Sequence, residues 1–185
     1  MKDLLKERFV LISRWQLGCG IDPAWRLISQ VHDWPVWWPQ VRAVRVDGDA
    51  PHDTGVAEPR VGSRAAIEWK TPLGYGLDLH VTTVRVVAPF ELEGVAGGDL
   101  EGHGLWLLEP RQADGVLITY RWDVHLNRPW MRLTAPLLRP LFARSHASVM
   151  RAGAYAMADA IGCSLLHYED ISVSPGAPAL APHSP

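Results

Sequence analysis

Residues 22–41 read DPAWRLISQVHDWPVWWPQV, and the kind of β protein this chain forms turns on them. Asp22-Pro23 has the form of a helix start, an N-cap followed by proline in the first helical position. The helix it predicts runs from Ala24 to about His32. Trp34-Pro35 ends that helix, because a residue before proline avoids the α region, and Pro39 limits any second helix to a turn or two. A short helical pair therefore interrupts an otherwise strand-rich chain. Before it, Arg8–Cys19 alternates, with Phe9, Leu11, Ser13, Trp15 and Leu17 on one face and Arg14 and Gln16 on the other, the pattern of a strand with one apolar side. After it, Val41–Asp47 alternates weakly and a loop rich in Gly, Pro and Asp follows. Period two then holds from Gly62 to Leu126. Breaks at Pro72/Gly74, Pro89, Gly97-Gly98 and Asp114-Gly115 predict strands at about 62–71, 75–87, 89–96, 99–109 and 115–127, joined as an antiparallel meander.

From Leu141 to Ile161 the period changes. Phe142, Val149, Met150, Gly153, Met157 and Ile161 recur at helical spacing, and Gly162 is a fitting stop. A rod of about 30 Å is the one element large enough to cover the apolar face of a single curved sheet. A lipocalin-type barrel would lack the helical pair after its first strand, and a cystatin-like cone would place its long helix first.

Composition bounds the rest. The 185 residues (20.5 kDa) are 48% hydrophobic and 21% charged, which fits one soluble globular domain; we take it as residues 1–170. Ile171–Pro185 carries four prolines and no Lys, Arg, Asp or Glu, and is expected to be a disordered tail. A net charge of −2 and a pI near 6.4 leave no basic excess for nucleic acid. No segment approaches the roughly 20 apolar residues of a membrane span. The opening MKDLLKER holds five charges and cannot be the apolar core of a signal peptide. Cys19 and Cys163, far apart in sequence and outside any C-x-x-C, read as buried thiols in a reducing, cytoplasmic setting. Nine tryptophans are more than packing alone usually requires.

The segments SRWQL, DPAWRLISQVHDWPVWWPQV, GDLEGHGLWLLEP with GVLITYRWDV, and RPWMRLTAPLLRPLFARSHASVMRAG resemble the START-like helix-grip (SRPBCC) superfamily, in particular its bacterial polyketide cyclase/dehydratase-like group. The likeness covers about residues 8–162. It implies an α+β helix-grip fold, a seven-stranded curved antiparallel sheet in the order β-α-α-β6-α wrapped on a long C-terminal helix. It also implies a cavity between sheet and helix that accepts a small hydrophobic molecule. Relatives include carriers, receptors and cyclases, so the resemblance implies no particular reaction. The run RPWM…RPLF…H…VM…G resembles a narrower subgroup in which the histidine, His146 here, is usually preceded by Asn; this chain has Ser145.

Candidate site residues follow from strand pairing. A turn centred near residue 113 sets Trp106 against Tyr120, Gly104 against Trp122, Gly102 against Val124 and Leu108 against Ile118. Glycines opposite large side chains leave room, as a cavity wall needs. The opposite face carries Glu101, His103, Asp123 and His125, groups suited to acid–base work or a metal, but read here as a solvated face of opposite charges. Trp15, Trp69, Trp106, Tyr120 and Trp122 are assigned to the ligand-facing wall. His146, Met150 and Gly153 join them from the helix, and His146 is the candidate for proton transfer. Trp37, Trp38 and Trp130 are assigned to the cavity entrance. No H-E-x-x-H, no phosphate-loop glycine spacing and no G-x-S-x-G occurs, so neither a metal nor a cofactor is expected. The functions weighed are binding, carriage or sensing of a lipid-, polyketide- or aromatic-like molecule, a cyclase or dehydratase acting on one, or a protein-interaction module using an exposed WPVWW segment. The chain is expected to be a monomer or homodimer.

Overall fold

Alternation over residues 62–126 becomes a run of long antiparallel strands, and one further strand beyond the long helix completes the sheet. The computed structural model describes residues 8–47, 59–72, 74–112 and 115–173, with the backbone alone for 129–139 and 172–173. Its elements are β1 (Arg8–Leu17), α1 (Ile21–Ser29), a 3-10 turn (Val31–Asp33), α2 (Trp34–Trp37), β2 (Val41–Val46), β3 (Arg64–Lys70), β4 (Gly76–Val87), β5 (Glu91–Gly98), β6 (Leu100–Arg111), β7 (Gly115–Leu126), α3 (Pro129–Ile161) and β8 (Leu165–Val173). The described strands form one sheet in the order β2-β3-β4-β5-β6-β7-β1-β8. β6 and β7 pair in the expected register, with Trp106 opposite Tyr120 and Gly104 opposite Trp122.

Three expectations are corrected. Among the described residues the sheet has eight strands rather than seven. β8 pairs with β1 at the sheet edge, where Leu166, Glu169 and Asp170 blur the alternation that marks half-buried strands. It also takes Ile171–Val173 out of the supposed tail; residues 174–185 lie outside the described residues. Second, α1 starts at Ile21 with Gly20 as its N-cap, and no side chain caps it. Asp22 sits in the first turn instead, where a carboxylate suits the helix dipole. Trp34 is α-helical (φ −53, ψ −38) although proline follows it; the chain breaks at Gln30 (φ −85, ψ 71). Third, α3 begins at Pro129, well before Leu141, and runs through Pro136 and Pro140. Each of those prolines removes one backbone hydrogen bond, so a breaker reading stops the helix too soon.

Packing divides at the sheet's inner face. Trp15, Leu17, Ile28, Leu108, Val116, Ile118 and Met157 are fully buried, at about 1.5–3 kcal/mol each for the larger aliphatic side chains. α3 is held by specific contacts. The Trp38 indole N–H donates to the Val149 carbonyl at 3.2 Å, and its ring lies against Gly153. A Cβ at Gly153 would come within 2.6 Å of Trp38 Cζ2 and 2.7 Å of Nε1. From β8, Tyr168 stacks on Trp15 (6.3 Å) and lies under the Arg151 guanidinium of α3 (5.1 Å). Its hydroxyl is 3.1 Å from the Ala147 carbonyl and 2.8 Å from Asp170 Oδ1, with one proton to serve the two.

Gly153→Ala sets two effects against each other. Alanine favours a helix interior by about 1 kcal/mol over glycine, whereas forcing a methyl into a packed core costs about 1–3 kcal/mol. Because the obstacle is a rigid, almost fully buried ring, the clash wins. Urea unfolding should show Gly153→Ala less stable by about 1 kcal/mol, and the cost should shrink when Trp38→Phe is added, since the two sites touch.

Candidate functional site

Between the concave sheet and α3 lies a cavity of about 170 Å³ whose lining is overwhelmingly apolar. Its floor is a row of rings from adjacent strands. Trp106 and Tyr120 approach to 4.2 Å, and Tyr120 and Trp122 stack at 5.9 Å with 22° between planes. Gly104 makes that row possible: a Cβ there would lie 2.8 Å from Trp122 Cζ3 and 2.9 Å from the Tyr120 hydroxyl. The space glycine leaves is thus used first by the rings themselves. Gly102 differs, since a Cβ there would collide with the Asp123 carbonyl; it serves a close backbone approach, and it does not line the cavity.

From α3, Phe142, Ser145, His146, Val149 and Met150 close the opposite side. His146 stacks on Tyr120 at 6.3 Å and 14°. Its Nε2 is shut off from water and has no hydrogen-bond partner, an arrangement that costs about 1–3 kcal/mol when left unanswered. Burial lowers its pKa from 6.5 to about 4, so the imidazole is neutral at pH 7. Burial likewise raises the Tyr120 phenol above its ordinary range and keeps it protonated. The Ser145 side chain, buried in the same wall, is the polar neighbour where the resemblance leads one to expect Asn.

Of the residues assigned to the wall, Trp69, Trp106, Tyr120, Trp122, His146 and Met150 line the cavity. Trp15 stands behind it, fully buried and edge-on to Trp106 at 5.7 Å. Gly153 faces the Trp38 ring rather than the hollow. Trp38 lines the cavity but is only 1% exposed, so it is wall, not lip, because its indole is committed to α3. Trp37 is partly buried and stacks on Trp38 at 5.2 Å, outside the lining. The side chain of Trp130 lies outside the described residues. Of the WPVWW segment only Val36 is largely exposed, at 86%, while Trp34 and Trp38 are buried; the exposed aromatic surface an interaction module would use is not there.

Several lining residues escaped the sequence reading. Phe9 and Leu11 share the Trp15 face by alternation, and Phe142 is one turn before His146, so both signals existed. Leu79 carried the alternation signal too, between Asp78 and His80, whereas Trp34 had none, since its inward direction depends on how the helical pair folds back against Trp69 of β3. The polar face opposite is a solvated one: Asp123 is held by Arg8 (2.7 Å) and Arg121 (3.3 Å), and His103 pairs with Glu93 at 3.5 Å. None of Glu101, His103, Asp123 or His125 lines the cavity.

The family described as polyketide cyclase/dehydrase and lipid transport matches residues 21–152, and the chain belongs to it. No curated protein matches by sequence. A START superfamily protein from Mycobacterium smegmatis superposes with a TM-score of 0.64 at 12% identity, covering 83% of this chain and 97% of that one. An aromatase/cyclase from a Streptomyces species gives 0.65 at 10%, covering 84% and 94%. Norcoclaurine synthase from Thalictrum flavum, solved with a transition-state analogue, gives 0.55 at 15%, covering 84% and 95%. Identities this low establish the shared helix-grip fold. Among the described residues no helix is long and apolar enough to cross a membrane.

A pH dependence follows from His146. Unfolded, it takes up a proton near pH 6.5; folded, only near pH 4. Between those values the unfolded chain binds more protons, so stability is complete above pH 6.5 and falls as pH drops toward 4. Discounted for the ring's partial exposure, the loss is about 1–3 kcal/mol. Asp123, lowered chiefly by its Arg8 hydrogen bond from 3.8, acts below that window. Denaturant titrations at pH 7, 5.5 and 4.5 should show the slope, and His146→Leu should flatten it.

Proposed function

We propose that this protein binds a small hydrophobic molecule, with one aromatic or alicyclic ring held against the Trp106–Tyr120–Trp122 row and a hydrogen-bonding group answering His146. The observation that carries the reading is the coincidence of vacant volume in an apolar hollow and an orphaned polar atom on a residue that lines it. An apolar cavity of about 150 Å³ accepts a benzene-sized guest, and 170 Å³ is of that order. Larger guests need the walls to part or must project past the margin, where Lys70 is exposed and Thr71 partly so. Taking roughly 200 Å² of guest surface out of water supplies about 5 kcal/mol before the costs of association. Neutral His146 then orients what the rings hold. Carriage or sensing in the cytoplasm fits such a site.

A second reading has its own support. Tyr120 and His146 put a protonated phenol and a neutral imidazole side by side in the cavity, a donor and an acceptor for proton transfer to a bound carbonyl or hydroxyl compound. That is the equipment a cyclase or dehydratase acting on a polyketide-like substrate needs without a metal. If it operates, His146→Gln should abolish turnover of an identified substrate while leaving guest affinity within a few-fold.

The binding reading is tested with 4-ethylphenol and ethylbenzene, two guests matched but for one hydroxyl. Both should raise the melting temperature and perturb tryptophan fluorescence, the phenol binding about tenfold tighter, as one net hydrogen bond of about 1.4 kcal/mol allows. His146→Leu should bring the two affinities together. If neither guest shifts the wild type at millimolar concentration and native mass spectrometry finds nothing co-purifying, the binding reading fails. If the phenol holds no advantage, His146 does not orient the guest.

A further inference from the structure

Cys19 and Cys163, distant in sequence, meet in the fold. Leu17 pairs with Leu165 across the β1–β8 ladder, and the Gly18 N–H donates to the Ser164 carbonyl at 2.9 Å. A bond from the residue after one member of a pair to the residue before the other marks Leu17–Leu165 as a non-hydrogen-bonded pair. Continuing that alternation past the ladder's last pair sets Gly18 opposite Ser164 and brings Cys19 opposite Cys163, at what would again be a non-hydrogen-bonded position. Cα atoms at such positions stand about 4.5 Å apart, inside the roughly 4.4–6.8 Å range of disulfides. The Cys163 thiol is near enough to Cys19 to raise its pKa, and both thiols are free and only partly buried. Cys163 is held in place by the end of α3, where Gly162 turns left-handed (φ 76) and the Cys163 N–H caps the Ala158 carbonyl at 2.9 Å.

We propose that Cys19 and Cys163 are a reversible thiol–disulfide site whose reaction partner is a low-molecular-weight disulfide, closing into an intramolecular bond that staples the C-terminal end of α3 to the β1–α1 junction. The Cys163 thiolate attacks one sulfur of the small disulfide, forming a mixed disulfide and releasing one equivalent of small thiol. Cys19 then loses its proton, and its sulfur attacks the Cys163 sulfur, expelling the second small thiol. The protein gives up two protons and two electrons; the oxidant becomes two thiols. Burial and the neighbouring sulfur push Cys19 up to about 12, which makes it the second to react and makes closure faster as pH rises. An excess of dithiol reverses the bond. The loop so closed spans nearly the whole sheet, and a long closed loop is where a cross-link most restricts the unfolded chain.

The full chain holds two cysteines, which makes the test clean. Purified protein is incubated with oxidised glutathione at pH 7 and pH 8.5, and accessible thiols, mass and melting temperature are followed. The expected result is a monomer lighter by two hydrogens, with tryptic peptides 15–26 and 152–185 linked, formed faster at the higher pH. Its melting temperature should rise by about 5–15 °C and return on adding dithiothreitol. Cys19→Ser and Cys163→Ser should each lose the rise. Glutathione retained on either cysteine as the end product, a bond between two chains, or two thiols still free overturns the proposal. The linkage map is read on the wild type, so it decides the matter even if a variant does not fold.

Discussion

The height of the cavity is set where Trp38 meets α3. A helix laid across a curved sheet can settle onto it until side chains interlock, and a fully settled helix leaves no hollow. Here the Trp38 indole is wedged beneath Gly153 and hydrogen-bonded to the Val149 carbonyl, so the helix rests on a large rigid ring. Trp38 in turn meets Trp69 edge-on at 5.1 Å and Trp34 at 5.3 Å. A prop made of stacked aromatics does not compress, because each ring has few rotamers and each is packed on two or more others. One turn earlier along the helix, beside Val149 and Met150, the same height appears as vacant volume.

Support of this kind separates two roles that tryptophan composition alone confounds. Trp15, behind the wall, packs between Trp106 and Tyr168 and is core. Trp106 and Trp122 offer one face to the core and the other to the hollow. The glycine at 104 is required for the second role, because any side chain there would lift Trp122 and the Tyr120 hydroxyl off the sheet and into the cavity.

How much of this could be read in advance depends on the range of the forces involved. Strands β3 to β7 were legible because alternation and turn residues are local, and the β6–β7 register because Gly104 opposite Trp122 and Gly102 opposite Val124 make sense in only one pairing. Four wall residues on strands were legible for the same reason, since facing there is a matter of parity, and His146 and Met150 were legible from helical spacing. What escaped reading was decided at a distance. β8 is an edge strand whose stability comes from β1 and from Tyr168 reaching α3, not from its own pattern. Trp38 looks like an exposed turn residue until α3, over a hundred residues later, supplies Gly153 as its seat. The meeting of Cys19 with Cys163 is likewise a product of the β1–β8 ladder and has no trace in either cysteine's neighbourhood.

The distribution of charge completes the picture. Ion pairs such as Arg8–Asp123 and Arg45–Glu68 lie on the strands' outward side or at their ends, where each contributes little and can be exchanged freely. Deep between the sheet and α3, the His146 imidazole and the Tyr120 phenol are held in their neutral forms by burial. A hollow of this kind discriminates by cost. A charged group seated against the ring row must shed its water away from the charges of Lys70 and Glu93, a plain hydrocarbon leaves His146 unanswered, and a neutral guest with one hydrogen-bonding group avoids both penalties. Under the proposed binding function, selectivity toward that last class follows from the chemistry of the lining, whether the protein then releases the molecule unchanged or alters it.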